Sequence, residues 1–205
     1  MIMRNAHQVY FDSIADQWDG WMDMSRITAR IDEGLTRFGL GADEAVLDVG
    51  CGTGNLTRVV LARLSARGRV VAVDLSPRML ELARAKNDDR RVDFRQAHVC
   101  DLSLADQSID RVICFSVWPH IDKPEVAALE IRRVLKADGW MHIWHIDSRE
   151  TINQVHAEAG EAVRGDMLVP AKDLAVLVRD AGFSVGEVVD TDREYVISAQ
   201  KVVGG

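Results

Sequence analysis

A glycine-rich turn between two apolar strands is the feature that most constrains the fold of this chain. The apolar run at 46–49 leads into three glycines within five positions, Gly50, Gly52 and Gly54. A second apolar run at 70–73 ends in Asp74. Glycine tolerates positive φ and lets a ligand approach the backbone, and an acid ending the next parallel strand lies beside such a turn, where it can accept from ribose hydroxyls. The pattern predicts a site for a nucleoside-bearing cofactor.

The spacing of the glycines separates two classes of cofactor. A dinucleotide-binding turn reads Gly-x-Gly-x-x-Gly, whereas the sixth position here is Asn55 and the glycines read Gly-x-Gly-x-Gly. Asp48, two residues before the first glycine, would repel a pyrophosphate but suits a cationic ligand or anchors the turn. An NAD(P)-linked oxidoreductase is therefore the disfavoured alternative.

The glycine turn resembles motif I of the class I S-adenosylmethionine-dependent methyltransferases. Further segments resemble the ubiquinone and menaquinone biosynthesis members of that family, in the order 10–19, 74–80, 109–114 and 130–139. Together they cover roughly residues 10 to 146 in the right order. One glycine turn is weak evidence, but several ordered motifs are strong evidence.

The resemblance implies S-adenosyl-L-methionine as the cofactor. The glycine turn would pack against its methionine part, Asp74 would hold the ribose, and Leu75 and Met79 would flank the adenine. The expected cofactor-binding residues are Asp48, Gly50, Cys51, Gly52, Gly54, Asn55, Asp74, Leu75, Met79, His98, Val99 and Ser116.

The approach to the fourth strand departs from the family pattern. Related enzymes commonly carry Gly-Asp-Ala where this chain has Ala97-His98-Val99, so a histidine replaces the acid that accepts from the adenine amino group. His98 could accept through one ring nitrogen, Asp101 could supply the acceptor instead, or His98 could turn toward solvent. The Val99 amide could still donate to the ring.

Substrate contacts are expected after strands four and five. His120 and His145 are the candidate general bases, with a helix-cap or second-shell role as the alternative for each. The expected substrate-contacting residues are Trp118, Arg149, Asn153 and His156. Asn153 and His156 share a helix face at i and i+3, although an ordinary surface helix explains them equally well.

A metal site built from these histidines is disfavoured, and the predicted metal is none. His120, His145 and His156 with Asp147 or Asp166 offer imidazole and carboxylate ligands. No compact spacing such as His-Glu-x-x-His supports the assembly, and histidines are more often hydrogen-bonded or acid–base groups.

Apolar runs alternate with amphipathic stretches, which predicts an α/β fold with a doubly wound, Rossmann-like sheet. The expected strands are 46–49, 70–73, 92–94, 111–115, 140–146, 185–189 and 194–201, the last two forming an antiparallel hairpin. The expected helices are 55–66, 77–86, 124–136 and 171–181. We expect one domain over 1–205, with a helical cap at 1–40 and a substrate lid at 147–170.

The composition of the chain limits the kinds of molecule that it is expected to bind. A net charge of −7 and a pI near 5.4 argue against nucleic acid, and no apolar run approaches the ~20 residues that span a bilayer. The three cysteines fit no zinc spacing, and the N-terminus lacks a signal peptide, so a cytoplasmic location is expected. We expect a small-molecule substrate and leave open a homodimer, the acceptor atom and a non-catalytic cofactor-binding regulator on the same fold.

Overall fold

A computed structural model describes residues 6–202 and contains one seven-stranded sheet. The strands are β1 Ala45–Val49, β2 Arg69–Asp74, β3 Val92–Gln96, β4 Ile109–Phe115, β5 Leu135–His145, β6 Phe183–Asp190 and β7 Tyr195–Lys201. The helices are α1 Ala6–Ile14, α2 Met24–Arg37, α3 Asn55–Arg63, α4 Pro77–Lys86, α5 Pro124–Val134, α6 Arg149–Glu158 and α7 Ala171–Asp180. Short 3₁₀ segments lie at Ala15–Trp21 and Trp118–His120.

The sheet order is β3-β2-β1-β4-β5-β7-β6. Strands β1 to β5 pair in parallel, and β7 runs antiparallel to both β5 and β6. All five residues of β1 are buried, as expected for a central strand covered by helices on both faces. The predicted doubly wound sheet with its C-terminal antiparallel hairpin is confirmed.

The fifth strand begins earlier than the sequence predicts. It starts at Leu135, directly after α5, and the pairing of Leu135 with Ile109 extends the β4–β5 ladder backward before a register shift. The charged residues Lys136 and Asp138 hide this extension, because a strand prediction depends on apolar periodicity.

The order of the strands reverses at β1, which lies between β2 and β4. In doubly wound sheets, ligands bind outside the carboxyl ends of the strands at such a switch point. The chain after β1 is the glycine turn at 50–54, so the fold places this turn at the position where a cofactor is expected.

Two segments cover this edge of the sheet. The N-terminal one comprises α1, the 3₁₀ segment and α2, while residues 1–5 of the predicted cap lie outside the described part of the chain. The other runs from 147 to 170 and begins with α6; its action as a lid stays a prediction. Among residues 6–202, no helix has both the length and the apolar character that crossing a bilayer requires.

Candidate active site

The glycine turn has the left-handed backbone that its sequence predicts. Gly50, Gly52 and Gly54 have φ of 66°, 52° and 82°. A Cβ at Gly50 would lie 2.3 Å from a Val117 methyl, whereas one at Gly52 would meet nothing within 4 Å. Gly50 therefore permits close packing of the loop after β4, and the bare face of Gly52 leaves room for a ligand.

Asp74 ties the end of β2 to this turn. One carboxylate oxygen accepts from the Gly52 amide at 2.8 Å and the other from the Ser76 amide at 2.8 Å. Burial raises the pKa of Asp74, although these amides act in the opposite direction. Because each oxygen has two lone pairs, the carboxylate can still accept from ribose hydroxyls.

Asp48 is a buried carboxylate beneath the turn. Its Oδ2 accepts from the Thr57 hydroxyl at 2.6 Å, and its Oδ1 has no hydrogen-bond partner among the described residues. Burial raises the pKa of Asp48 to about 7. A cationic group bound near this carboxylate would favour its ionised form.

Two cavities border the turn and share the residues Trp18, Gly50, Gly52 and Ser116. The first encloses about 780 Å³, a figure that includes space open to solvent. Its walls include the expected residues Gly50, Gly52, Asp74, Leu75, Met79, His98, Val99 and Ser116. The fold thus brings these positions together around one space.

The second cavity contains the remaining expected cofactor residues except one. Asp48, Cys51 and Asn55 line it, and burial raises the pKa of the Cys51 thiol. Gly54 lines neither cavity: it precedes α3, and a Cβ there would meet the Asn87 side chain at 2.6 Å. Its role is to let the chain enter the helix.

The N-terminal segment is hydrogen-bonded to the turn and to the start of α4. Asp19 accepts from the Thr53 hydroxyl at 2.7 Å and from the side-chain amide of Asn55 at 3.0 Å, and it also forms an ion pair with Lys86. The Ser76 hydroxyl donates to Asp12 at 2.6 Å.

Sequence reasoning missed three wall residues that this segment supplies. His7, Phe11 and Trp18 all line the first cavity. For Phe11 and Trp18 the signal was the family resemblance over 10–19, whereas His7 lies outside that segment.

His98 lines the first cavity, but its hydrogen bond limits what it can offer. Its Nδ1 accepts from the Cys100 amide at 3.1 Å, so in the neutral ring the proton lies on Nε2. Nε2 can then donate to an adenine ring nitrogen, whereas accepting from the adenine amino group requires another partner.

The two predicted catalytic histidines occupy different environments. His120 lines the first cavity, and its Nδ1 lies 2.5 Å from Oδ2 of Asp166. His145 is 2% exposed, lines neither cavity, and its Nε2 has no hydrogen-bond partner among the described residues. Burial lowers the pKa of His145 to about 3. Of the two, only His120 borders the space where reacting atoms could lie.

The predicted substrate residues do not converge on the cavities. Trp118 is buried in the hydrophobic core, and Arg149 forms ion pairs with Asp190 and Glu150. Asn153 and His156 share a face of α6, as predicted, but that face holds the following segment. Asn153 makes two hydrogen bonds to the backbone of Leu168, and the ring of His156 bonds the carbonyl oxygen of Asp166.

Comparison with known proteins shows the class to which this site belongs. A family model described as a methyltransferase domain matches residues 47–143. The ubiquinone biosynthesis O-methyltransferase of Xanthomonas euvesicatoria is 30% identical over 211 residues, which cover 90% of this chain and 84% of that protein. A solved S-adenosylmethionine-dependent methyltransferase from Aquifex aeolicus superposes with a TM-score of 0.76 at 22% identity, covering 93% of this chain and 98% of that one.

An uncharacterised 37.1 kDa protein of transposon TN4556 from Streptomyces fradiae is 32% identical over 157 residues. The match covers 71% of this chain and 45% of that protein, so the chain spans less than half of its length. Taken together, these comparisons place the chain in the S-adenosylmethionine-dependent methyltransferase family. It is an enzyme of that family, and S-adenosylmethionine is its cofactor.

The residues at the turn fit this cofactor. The open face of Gly52 and the lone pairs of Asp74 suit an adenosine, while the unpartnered oxygen of Asp48 suits a positively charged group. A dinucleotide pyrophosphate at the turn would be repelled by the Asp48 carboxylate, which disfavours the NAD(P)-linked alternative.

Proposed function

We propose that the enzyme transfers the methyl group of S-adenosylmethionine to a small-molecule acceptor held at the His120 end of the first cavity. Adenosine would occupy the end lined by Asp74, Leu75 and Met79, and the methionine part would extend beside Asp48 in the second cavity. The observation that carries this proposal is that both cavities meet at Gly50, Gly52 and Ser116, where the sulfonium would lie.

Bound S-adenosylmethionine supplies an activated methyl group, so the protein's contribution is alignment and exclusion of water. Phe11 and Trp18, from the N-terminal segment, form part of the cavity wall. Their rings pack edge to face, with 6.0 Å between the ring centroids. These aromatic side chains shield the reacting atoms from solvent. Ser116, with φ of 53°, holds the strained end of β4 at the junction of the two cavities.

Kinship with a ubiquinone biosynthesis O-methyltransferase makes phenolic and catecholic compounds the first acceptors to test. Cavity walls that combine aromatic rings with imidazoles suit a flat acceptor with an ionisable hydroxyl. Since one architecture serves carbon, nitrogen, oxygen and sulfur acceptors, the panel also includes amines and thiols.

Calorimetric titration with S-adenosylmethionine, S-adenosylhomocysteine and NAD tests the cofactor assignment. We expect both sulfur nucleosides to bind and NAD to give no heat. Release of S-adenosylhomocysteine in the presence of each acceptor then tests transfer. Binding of the nucleosides without release from any member of the panel would argue against a small-molecule acceptor.

A further inference from the structure

Two imidazoles and a carboxylate from distant parts of the chain meet beside the first cavity. His7 lies in α1, His120 ends the 3₁₀ segment after β4, and Asp166 follows α6. We call these three residues the histidine cluster. No single one of the motifs in the sequence contains it, because His7 and Asp166 are 159 positions apart.

The distances within the histidine cluster are short. Nε2 of His7 lies 3.0 Å and Nδ1 of His120 lies 2.5 Å from the same Asp166 oxygen, Oδ2. One nitrogen or oxygen from each residue lies within 4.8 Å of the others. A single ion could therefore contact all three residues after small side-chain movements, since Zn–N and Zn–O distances are ~2.0–2.2 Å.

We propose that His7, His120 and Asp166 bind one divalent transition-metal ion of the Zn²⁺ or Fe²⁺ type. Imidazole nitrogen suits these borderline metals, whereas Mg²⁺ and Ca²⁺ prefer sites made of oxygen. Two histidines and one carboxylate, with a position left open, are a ligand set of catalytic zinc and non-haem iron sites. The side chains are 11–13% exposed, so the site is sheltered but reachable.

Neighbouring groups hold the three side chains in place. Nδ1 of His156 bonds the Asp166 carbonyl oxygen at 2.8 Å, and the His156 ring centroid is 4.7 Å from that of His120. Oδ1 of Asp122 lies 3.7 Å from the other ring nitrogen of His7. Carboxylates and carbonyls that orient the ligands are a regular part of metal sites.

The position of the site gives the ion access to the acceptor. His7 and His120 both line the first cavity, so the open position of the ion would face it. That an acceptor oxygen, nitrogen or sulfur completes the coordination rests on the proposed function. Binding of the ion itself does not, which keeps the two tests separate.

Isothermal titration calorimetry of the untagged chain with Zn²⁺ tests the proposal. We expect one Zn²⁺ per chain with a Kd of about 10 µM or lower, and no binding of Mg²⁺ at similar concentrations. His7→Asn, His120→Asn and Asp166→Asn should each weaken Zn²⁺ binding at least ~10-fold, the scale found when parts of metal sites are altered.

His98→Asn and Cys100→Ser are matched controls. His98 lines the same cavity outside the cluster, and Cys100 is a partly exposed free thiol. Both variants should bind Zn²⁺ as the parent does. Circular dichroism and thermal unfolding show that each variant is folded. In the parent chain, Zn²⁺ should shift the ring proton resonances of His7 and His120 in NMR spectra.

Three results would overturn the proposal. One is the absence of Zn²⁺ binding and of histidine shifts in the parent, which would leave a hydrogen-bonded cluster that needs no ion. Another is unchanged Zn²⁺ affinity in the Asp166→Asn chain. The third is loss of Zn²⁺ in a control variant, which would place the ion elsewhere.

Discussion

The glycine turn and the segments that cover it are built in opposite ways. The turn is held by contacts between residues close in sequence, such as Gly52 with Asp74, 22 positions apart. The N-terminal segment and the segment at 147–170 are held together by contacts such as His7 with Asp166, 159 positions apart. The part of a site that lies within one βαβ unit can therefore be predicted from a sequence motif. The part that surrounds the acceptor depends on contacts between segments distant in the sequence.

The largest expected effect concerns the carboxylate beneath the turn. Because the pKa of Asp48 is about 7 in the folded protein and 3.8 unfolded, only the folded state keeps the proton between these values. Stability from this group is therefore complete below pH 4, falls as the pH rises to 7, and is level above that. In the parent chain, this group should lower the free energy of unfolding by about 2–3 kcal/mol between pH 5 and 7, and Asp48→Asn should abolish that decrease.

Denaturant unfolding of the cofactor-free parent and variant at pH 5, 7 and 8 measures this difference. Only the difference between the two curves is read, because the carboxylates outside the turn are common to both chains. Parallel curves would mean that Asp48 keeps its charge in the folded protein, and that the turn tolerates a buried carboxylate without a ligand.

The next effect concerns the other acid of the turn. Asp74→Ala removes the acceptor of the Gly52 and Ser76 amides together with the expected ribose contact. We expect affinity for S-adenosylmethionine to fall by about 1–3 kcal/mol, or roughly 5- to 150-fold. Calorimetry measures it, with Asp93→Ala as the control because that carboxylate is exposed and forms an ion pair with Arg95. Equal affinity in both variants would remove Asp74 from the cofactor site.

A smaller effect tests how closely the N-terminal cover packs on the sheet. A Cβ at Gly34 of α2 would lie 2.3 Å from the Trp144 ring. Overpacking costs about 1–3 kcal/mol, and the better helix propensity of alanine offsets up to about 1, so Gly34→Ala should lower stability by about 1–2 kcal/mol. Thermal unfolding measures it against Gly20→Ala, where a Cβ meets nothing within 4 Å. A stable Gly34→Ala chain would indicate that α2 can move away from the sheet.

The smallest effect concerns the segment after α6. Asn153→Ala leaves the amide and carbonyl of Leu168 without their side-chain partner, and each such bond contributes about 1 kcal/mol. We expect the Leu168 amide to exchange with solvent about 5- to 10-fold faster, while cofactor affinity stays unchanged. Hydrogen exchange measures this, with the exposed neighbour Gln154→Ala as the control. Equal exchange rates of the Leu168 amide in the parent and in Asn153→Ala would show that the segment keeps its conformation without these two hydrogen bonds.

The sheet could be predicted because each strand carries its own signal. Apolar runs such as 46–49 and 70–73 are buried on both faces, and β6 alternates more and less buried residues before a polar turn. The early start of β5 could not be predicted, because Leu135 pairs with Ile109 through a register shift that leaves no apolar pattern. The order of the strands along the sheet came from the tertiary structure.

The candidate site divides in the same way. Gly50, Gly52 and Asp74 were predictable because special φ values and a strand-end acid are visible in the residue types. His145 was a candidate general base because it lies near the ligand-binding end of the fifth strand, yet the structure buries it away from both cavities. Which face of β5 meets a cavity depends on what packs against it, and the period of a strand does not contain that information.

The amino-acid sequence by itself determined the turn, the acid beside it and the alternating elements that place both at one edge of a sheet. Only the tertiary structure decided that His7 and Asp166 meet His120, and that Asn153 and His156 hold a segment in place. The physical reason is range: backbone conformation and burial period are local properties of the chain, whereas contacts across more than a hundred residues depend on how whole segments pack.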